Sequence, residues 1–274
     1  METPDPIRTA RTYRCECWRA VSTGILETGA TVFLLLIAVR HYHAGATAKA
    51  LIAAGGSIGL LLTPLVVWAV QHLGWPAARA AARITNAGTV SCLAMVALPF
   101  LPVFVLGSVV AMAAAAAAIP LLTQIYQENY PETDRGRLFS RAVMIRIGVA
   151  ALFSELAGEA LSQRPDSFRW LLLLFAAAFG FSAHWLGRCP SRPLPSTGSI
   201  NPFRSLRFVR EDRLFRRTLL CWMLMGFANL MMLPLRIEYL ANPVHGLALS
   251  AAEIAFLTGV VPNLARLLFA EDAL

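Results

Sequence analysis

The chain has 274 residues, 57% of them hydrophobic and only 15% charged, with a formal net charge of +8. A soluble domain carries about 25% charged residues, so this chain cannot clothe a globular surface. Its basic residues lie between long apolar runs rather than in one patch. That argues against a nucleic-acid-binding domain and for an all-α, polytopic membrane protein in contact with lipid.

A bilayer core about 30 Å thick takes roughly 20 residues of helix, and eight stretches fit in chain order. The first span is expected over residues 19–40 and the second over 48–72. Within the second, Gly55 and Gly59 have the small-xxx-small spacing that lets helices approach closely. From Ile84 to Gln127 there is no Lys, Arg, Asp or Glu. That run is too long for one span and right for a third and a fourth, with Pro99 and Pro102 marking the turn between them. The charge-dense "ENYPETDRGRLFSR" (128–141) follows and reads as a loop held at a membrane surface. The fifth span is expected over 138–161, the sixth over 168–187, the seventh over 217–240 and the eighth over 250–270. Ser250 and Glu253 form a capping-box pattern at the start of the eighth.

Arginine placement gives the topology. Cytoplasmic loops hold the Lys and Arg excess. With residues 1–18 as a cytoplasmic tail, 19 of the 24 Lys and Arg residues fall on the inner side, and every inner loop is basic. The expectation is a multi-pass protein of the cytoplasmic (inner) membrane with its N-terminus in the cytoplasm. The chain then divides into a six-span half (19–187), a basic inner linker (188–216) and two further spans (217–274). In the linker, Asn201 can cap a surface helix with Pro202 at its first position. The first and second spans also resemble the seventh and eighth weakly, as parallel repeats do.

These features resemble the major facilitator superfamily of transporters. The resemblance rests on the six-span unit, the long basic linker and the inner loop 4–5, where Pro131, Arg135, Gly136, Arg137 and Ser140 match the family's Pro, Arg-Gly-Arg and small polar residue. Loop 2–3 departs from the family pattern: it carries Gly74, Arg79 and Arg83 but no acid. The resemblance implies a secondary transporter that moves a small solute by alternating access, with proton or sodium as the coupling ion. The chain corresponds to about two-thirds of a typical twelve-span member. On that ground the alternative is a truncated fragment, in which two helices cannot form the opposite wall of a cleft and the chain alone would not transport.

Ionisable residues within spans are costly and usually face a cavity or a partner. Glu27 and Arg146 both lie roughly 12 Å from the inner side, at 1.5 Å per residue. The resemblance places the first and fifth helices near each other and so permits a pair, either a gating and coupling pair or a static helix–helix salt bridge. Glu155 is a candidate to bind a proton or substrate, whereas Glu159 is expected at the outer interface. Gln124 in the fourth span and Asn229 in the seventh are expected to line the cavity, and Arg236 to flank its entrance.

The five cysteines are scattered, and the one close pair, Cys15 and Cys17, has no metal-site spacing. Asp5, Asp134 and Asp166 all fall in tails or loops, and no His-Glu-x-x-His motif occurs. No metal, cofactor or catalytic group is therefore expected, and a membrane-embedded enzyme is the least favoured class.

Overall fold

The computed structural model describes residues 5–164, 167–194 and 206–268. Eight long helices alternate in direction at the places expected for the eight spans. They are α1 (Pro6–Arg40), α2 (Ala46–His72), α3 (Ala77–Ala97), α4 (Leu101–Asn129), α5 (Glu132–Gln163), α6 (Phe168–Arg188), α8 (Arg213–Ala241) and α9 (Ala251–Leu268), with a short α7 (Leu206–Glu211) before α8. Six are long and apolar enough to cross a membrane: α1, α2, α4, α6, α8 and α9. Helices α3 and α5 are as long as spans but are not among these six; α3 carries Arg79 and Arg83, and α5 carries Arg135, Arg137, Arg141 and Arg146 with four acidic residues. The described residues contain no strand, only an isolated bridge between Pro76 and Pro193.

Local chemistry sets the helix ends. Asp5 caps α1 by accepting from the Ile7 N–H at 3.0 Å, and Pro6 fills the first helical position. This cap starts α1 well before residue 19, so most of the expected tail is helix. At 35 residues the helix is about 50 Å long, beyond the hydrocarbon core of about 30 Å, and one end projects. Residues 98–100 form the turn expected at Pro99 and Pro102. The Ser250–Glu253 capping box forms in both directions, at 2.7 and 3.1 Å.

The stretch 128–141 is not a loop. It is the end of α4 and the start of α5, meeting at Tyr130 and Pro131. Tyr130 is extended, as a residue before proline prefers, and α5 restarts at Glu132. Arg135 reaches back to the carbonyls of Gln127 and Tyr130, each at 3.3 Å, and so serves the exposed end of α4. Arg137 pairs with Asp134 in solvent at 2.9 Å, and Gly136 faces open space. In the linker, Asn201, Pro202 and Phe203 lie outside the described residues; α7 occupies its second half.

One end of the bundle gathers most of the arginines. There Glu128 accepts from Arg8 at 2.7 Å and from the Arg192 backbone at 3.0 Å, and the Asn129 side chain donates to the Pro190 carbonyl at 2.7 Å. Buried Glu16 pairs with Arg19, which also donates to the Tyr126 hydroxyl at 3.0 Å. At the opposite end Lys49 meets Glu238 at 2.7 Å, and the Arg40 guanidinium donates to the Leu249 carbonyl. Among the described residues these contacts fasten α8 at the Lys49 end. Toward the arginine-rich end, residues 213–232 of α8 are exposed apart from half-buried Leu219 and Leu230.

The core centres on α1, whose residues Val32 to Val39 are all buried among α3, α4, α6 and α9. Small residues set the spacing. A Cβ on Gly24 of α1 would stand 2.5 Å from the Arg146 carbonyl oxygen of α5, so only glycine admits this approach. Gly55 and Gly59 of α2 seat against Val109, Met112 and Ala113 of α4 in the same way, as their spacing led us to expect.

Candidate functional site

Glu27 stands one helical turn beyond Gly24. The close approach of α1 to α5 therefore sets its carboxylate beside Arg146, with Oε2 3.1 Å from Nε. The Nε–H is not aimed at that oxygen, so the contact is an ion pair rather than a hydrogen bond. A second cation completes the group. Arg266 of α9 donates from Nη1 to Glu27 Oε1 at 2.7 Å. Arg266 is itself steadied by Asn263 Oδ1 at 3.2 Å, and the Asn263 amide donates to the Gly259 carbonyl at 2.8 Å. One carboxylate is thus shared by cations from two other helices.

The backbone around this group is irregular. Just past Glu27, α1 makes a π turn at Gly29–Phe33, and α9 makes another at Phe256–Val260. The two π turns lie against each other, with Val32 facing Gly259. A π turn widens the helix locally and frees carbonyls from the regular ladder, and such turns are frequent at functional sites.

Glu27 and Arg146 border a cavity of about 320 Å³ between α1, α3, α4, α5 and α6. The rest of its lining is largely apolar, including Leu26, Leu34, Cys92, Met112, Phe175 and Phe179, with Thr23 as a further polar group. A concave apolar site of this size with a few convergent polar groups is the ordinary form of a small-molecule site. The side chains of Glu27, Arg146 and Arg266 are 26%, 34% and 46% exposed, so the cluster is open enough to meet a solute. A second cavity of about 350 Å³ lies at the Lys49 end, lined by Arg40, His43, Lys49, Glu238 and Asn242 among others.

The other candidates are placed elsewhere. Glu155 is on the exposed side of α5 with Leu152 and Leu156, two and three turns beyond the Arg146 level, and does not border the cavity. Gln124 is half-buried near the arginine-rich end of α4 and Asn229 lies on the exposed face of α8; neither lines the cavity. Arg236 is half-buried above Pro234 with no hydrogen-bond partner at Nε, and it lines neither cavity. Pro131, Arg135, Gly136 and Arg137 are remote from the cavity, at the α4–α5 junction. Arg266 is the member that spacing did not pick out. It reads as one more inner-end cation, and only the packing of α9 on α5 reveals its partner.

The described residues include one Gly-x-Ser-x-Gly string, Gly55 to Gly59, the pattern of a hydrolase nucleophile turn. Here it runs through unbroken helix with Ser57 exposed, and its glycines serve packing. Among the described residues no cluster of His, Cys, Asp and Glu could hold a metal ion. Comparison with protein-family models, with curated proteins and with solved structures finds no match in any of the three.

Proposed function

We propose that the protein is a secondary transporter of the major facilitator type, carrying a small solute by alternating access. The observation that carries this reading is the sharing of Glu27 between Arg146 and Arg266 at the edge of the cavity. Arg146 belongs to the same six-helix unit as Glu27, whereas Arg266 belongs to the α8–α9 pair. When that pair swings away, Glu27 loses Arg266 and keeps Arg146. The carboxylate is paired in both arrangements, so neither leaves Glu27 bare in the membrane. That makes the cluster a two-position latch, the kind of bistable contact on which switching depends. In this reading the arginine-rich end faces the cytoplasm of the inner membrane.

The two latches act at opposite ends: Glu27–Arg266 at the cavity, and Lys49–Glu238 at the far end. Single cysteines at Ala115 and Pro243, in a background with the native cysteines replaced, report access to the two cavities by their rates of maleimide labelling. Arg266→Gln should speed labelling at residue 115 and slow it at 243, and Lys49→Gln should do the reverse. Shifts in the same direction at both positions, or none, would sink alternating access.

A further inference from the structure

We infer that the cavity beside Glu27 takes a small organic anion: a carboxylate joined to an apolar, preferably aromatic, body. This rests on reading the cavity as the substrate site.

One carboxylate against two guanidiniums leaves one positive charge, and among the described residues no other Asp or Glu lies within ion-pair distance of Arg146 or Arg266. The two arginines are not equivalent. Arg266 is spent on direct hydrogen bonds to Glu27 and Asn263. Arg146 donates no hydrogen bond to any described residue; its approach to Glu27 is through Nε at 3.1 Å, with poor aim, its side chain is 34% exposed, and it borders the cavity. Its terminal nitrogens are the planar fork that binds a carboxylate through two parallel hydrogen bonds.

A cation is poorly served here, because Glu27 is already held by Arg266. A polyhydroxy solute is poorly served too. Beyond Thr23, Glu27 and Arg146 the lining offers few side-chain donors or acceptors, and a buried hydroxyl without a partner is costly. The apolar remainder matches an organic body. Phe175 and Phe179 of α6 and Met112 of α4 present rings and a thioether that suit an aromatic ring. A volume of about 320 Å³ is at the small end for ligand sites, which favours a single-ring acid.

The test is equilibrium dialysis of the purified protein in detergent against labelled phenylacetate, its neutral amide phenylacetamide and the cation phenethylamine, each corrected with protein-free micelles. Phenylacetate should bind at one site per chain and at least tenfold more tightly than the other two. That comparison needs no variant and so no assumption about folding. Arg146→Gln should remove the preference for the acid, while Arg146→Lys should retain part of it. Equal binding of the three probes, no saturable binding of phenylacetate, or an undiminished preference in Arg146→Gln would overturn the inference. A protein that passes the labelling test above but shows no preference for the acid would keep the transport reading and lose only this substrate class.

Discussion

Arg266 and Glu27 are 239 positions apart in the chain and meet at 2.7 Å. That contact joins the last described helix to the first, within a group that already contains Arg146 of α5. Removing different members should therefore have unequal effects. Glu27→Gln strands two arginines, whereas Arg266→Gln leaves Glu27 paired with Arg146. Breaking a fully buried pair costs about 3–5 kcal/mol. These side chains are partly exposed, so we expect about 1–2 kcal/mol for Glu27→Gln and less for Arg266→Gln. Thermal unfolding in detergent should rank Glu27→Gln below both single arginine variants. The triple replacement with Gln should be no less stable than Glu27→Gln alone. Strictly additive losses would show that the three residues do not act together.

Gly24 and Gly136 make opposed predictions. Gly24 sits against the α5 backbone at Arg146, so Gly24→Val overpacks the seam that sets Glu27 beside Arg146. It should cost about 1–3 kcal/mol. Gly136 lies within α5 with nothing near it. Gly136→Ala should stabilise the protein by about 0.5–1 kcal/mol through helix propensity alone. Melting temperatures moving in the same direction for both variants would contradict this packing.

The capping box is a test of α9 itself. Ser250→Ala removes the acceptor for the Glu253 N–H, and should cost about 1 kcal/mol. Because α9 delivers Arg266 to Glu27, amide exchange should rise in the first turn of α9 while the Arg266 end, held by its own bonds, changes little. Uniform loosening of the whole helix would mean that the cap anchors more than its own turn.

Topology is checked by reporter fusions. Fusions after Arg137 and after Leu194 should report the cytoplasmic side, and one after Arg164 the opposite side. A cytoplasmic signal at Arg164 would reverse or break the alternation of helices.

What the sequence made legible follows from what is local. Apolar length located all eight helices, Pro99 and Pro102 located the α3–α4 turn, and Ser250 with Glu253 located the start of α9. Equal depth from one membrane face, together with the resemblance that places the first and fifth helices near each other, permitted a pair of Glu27 and Arg146, and the two do meet. What stayed hidden depends on azimuth and on long-range packing. Asn229 and Gln124 have plausible depths, but depth does not say which way a side chain faces, and both miss the cavity. Arg266 was hidden because its partner lies on α1, across the whole chain. The charge-dense stretch 128–141 misled because charge suggests a loop, whereas helix ends that project beyond the apolar core tolerate charge equally well. The π turns at Gly29–Phe33 and Phe256–Val260 have no single-residue signature.

Whether the protein moves a solute through the Glu27 site is decided by exchange in vesicles. Vesicles containing the purified protein, loaded with one unlabelled solute at a time from a panel of organic anions, sugars and amino acids, are given the labelled form outside. A transporter of this kind should show saturable exchange of at least one solute above protein-free vesicles, slowed at least tenfold by Glu27→Gln in protein that still melts cooperatively. No exchange of any panel solute, or exchange that ignores Glu27→Gln, would contradict transport through that site.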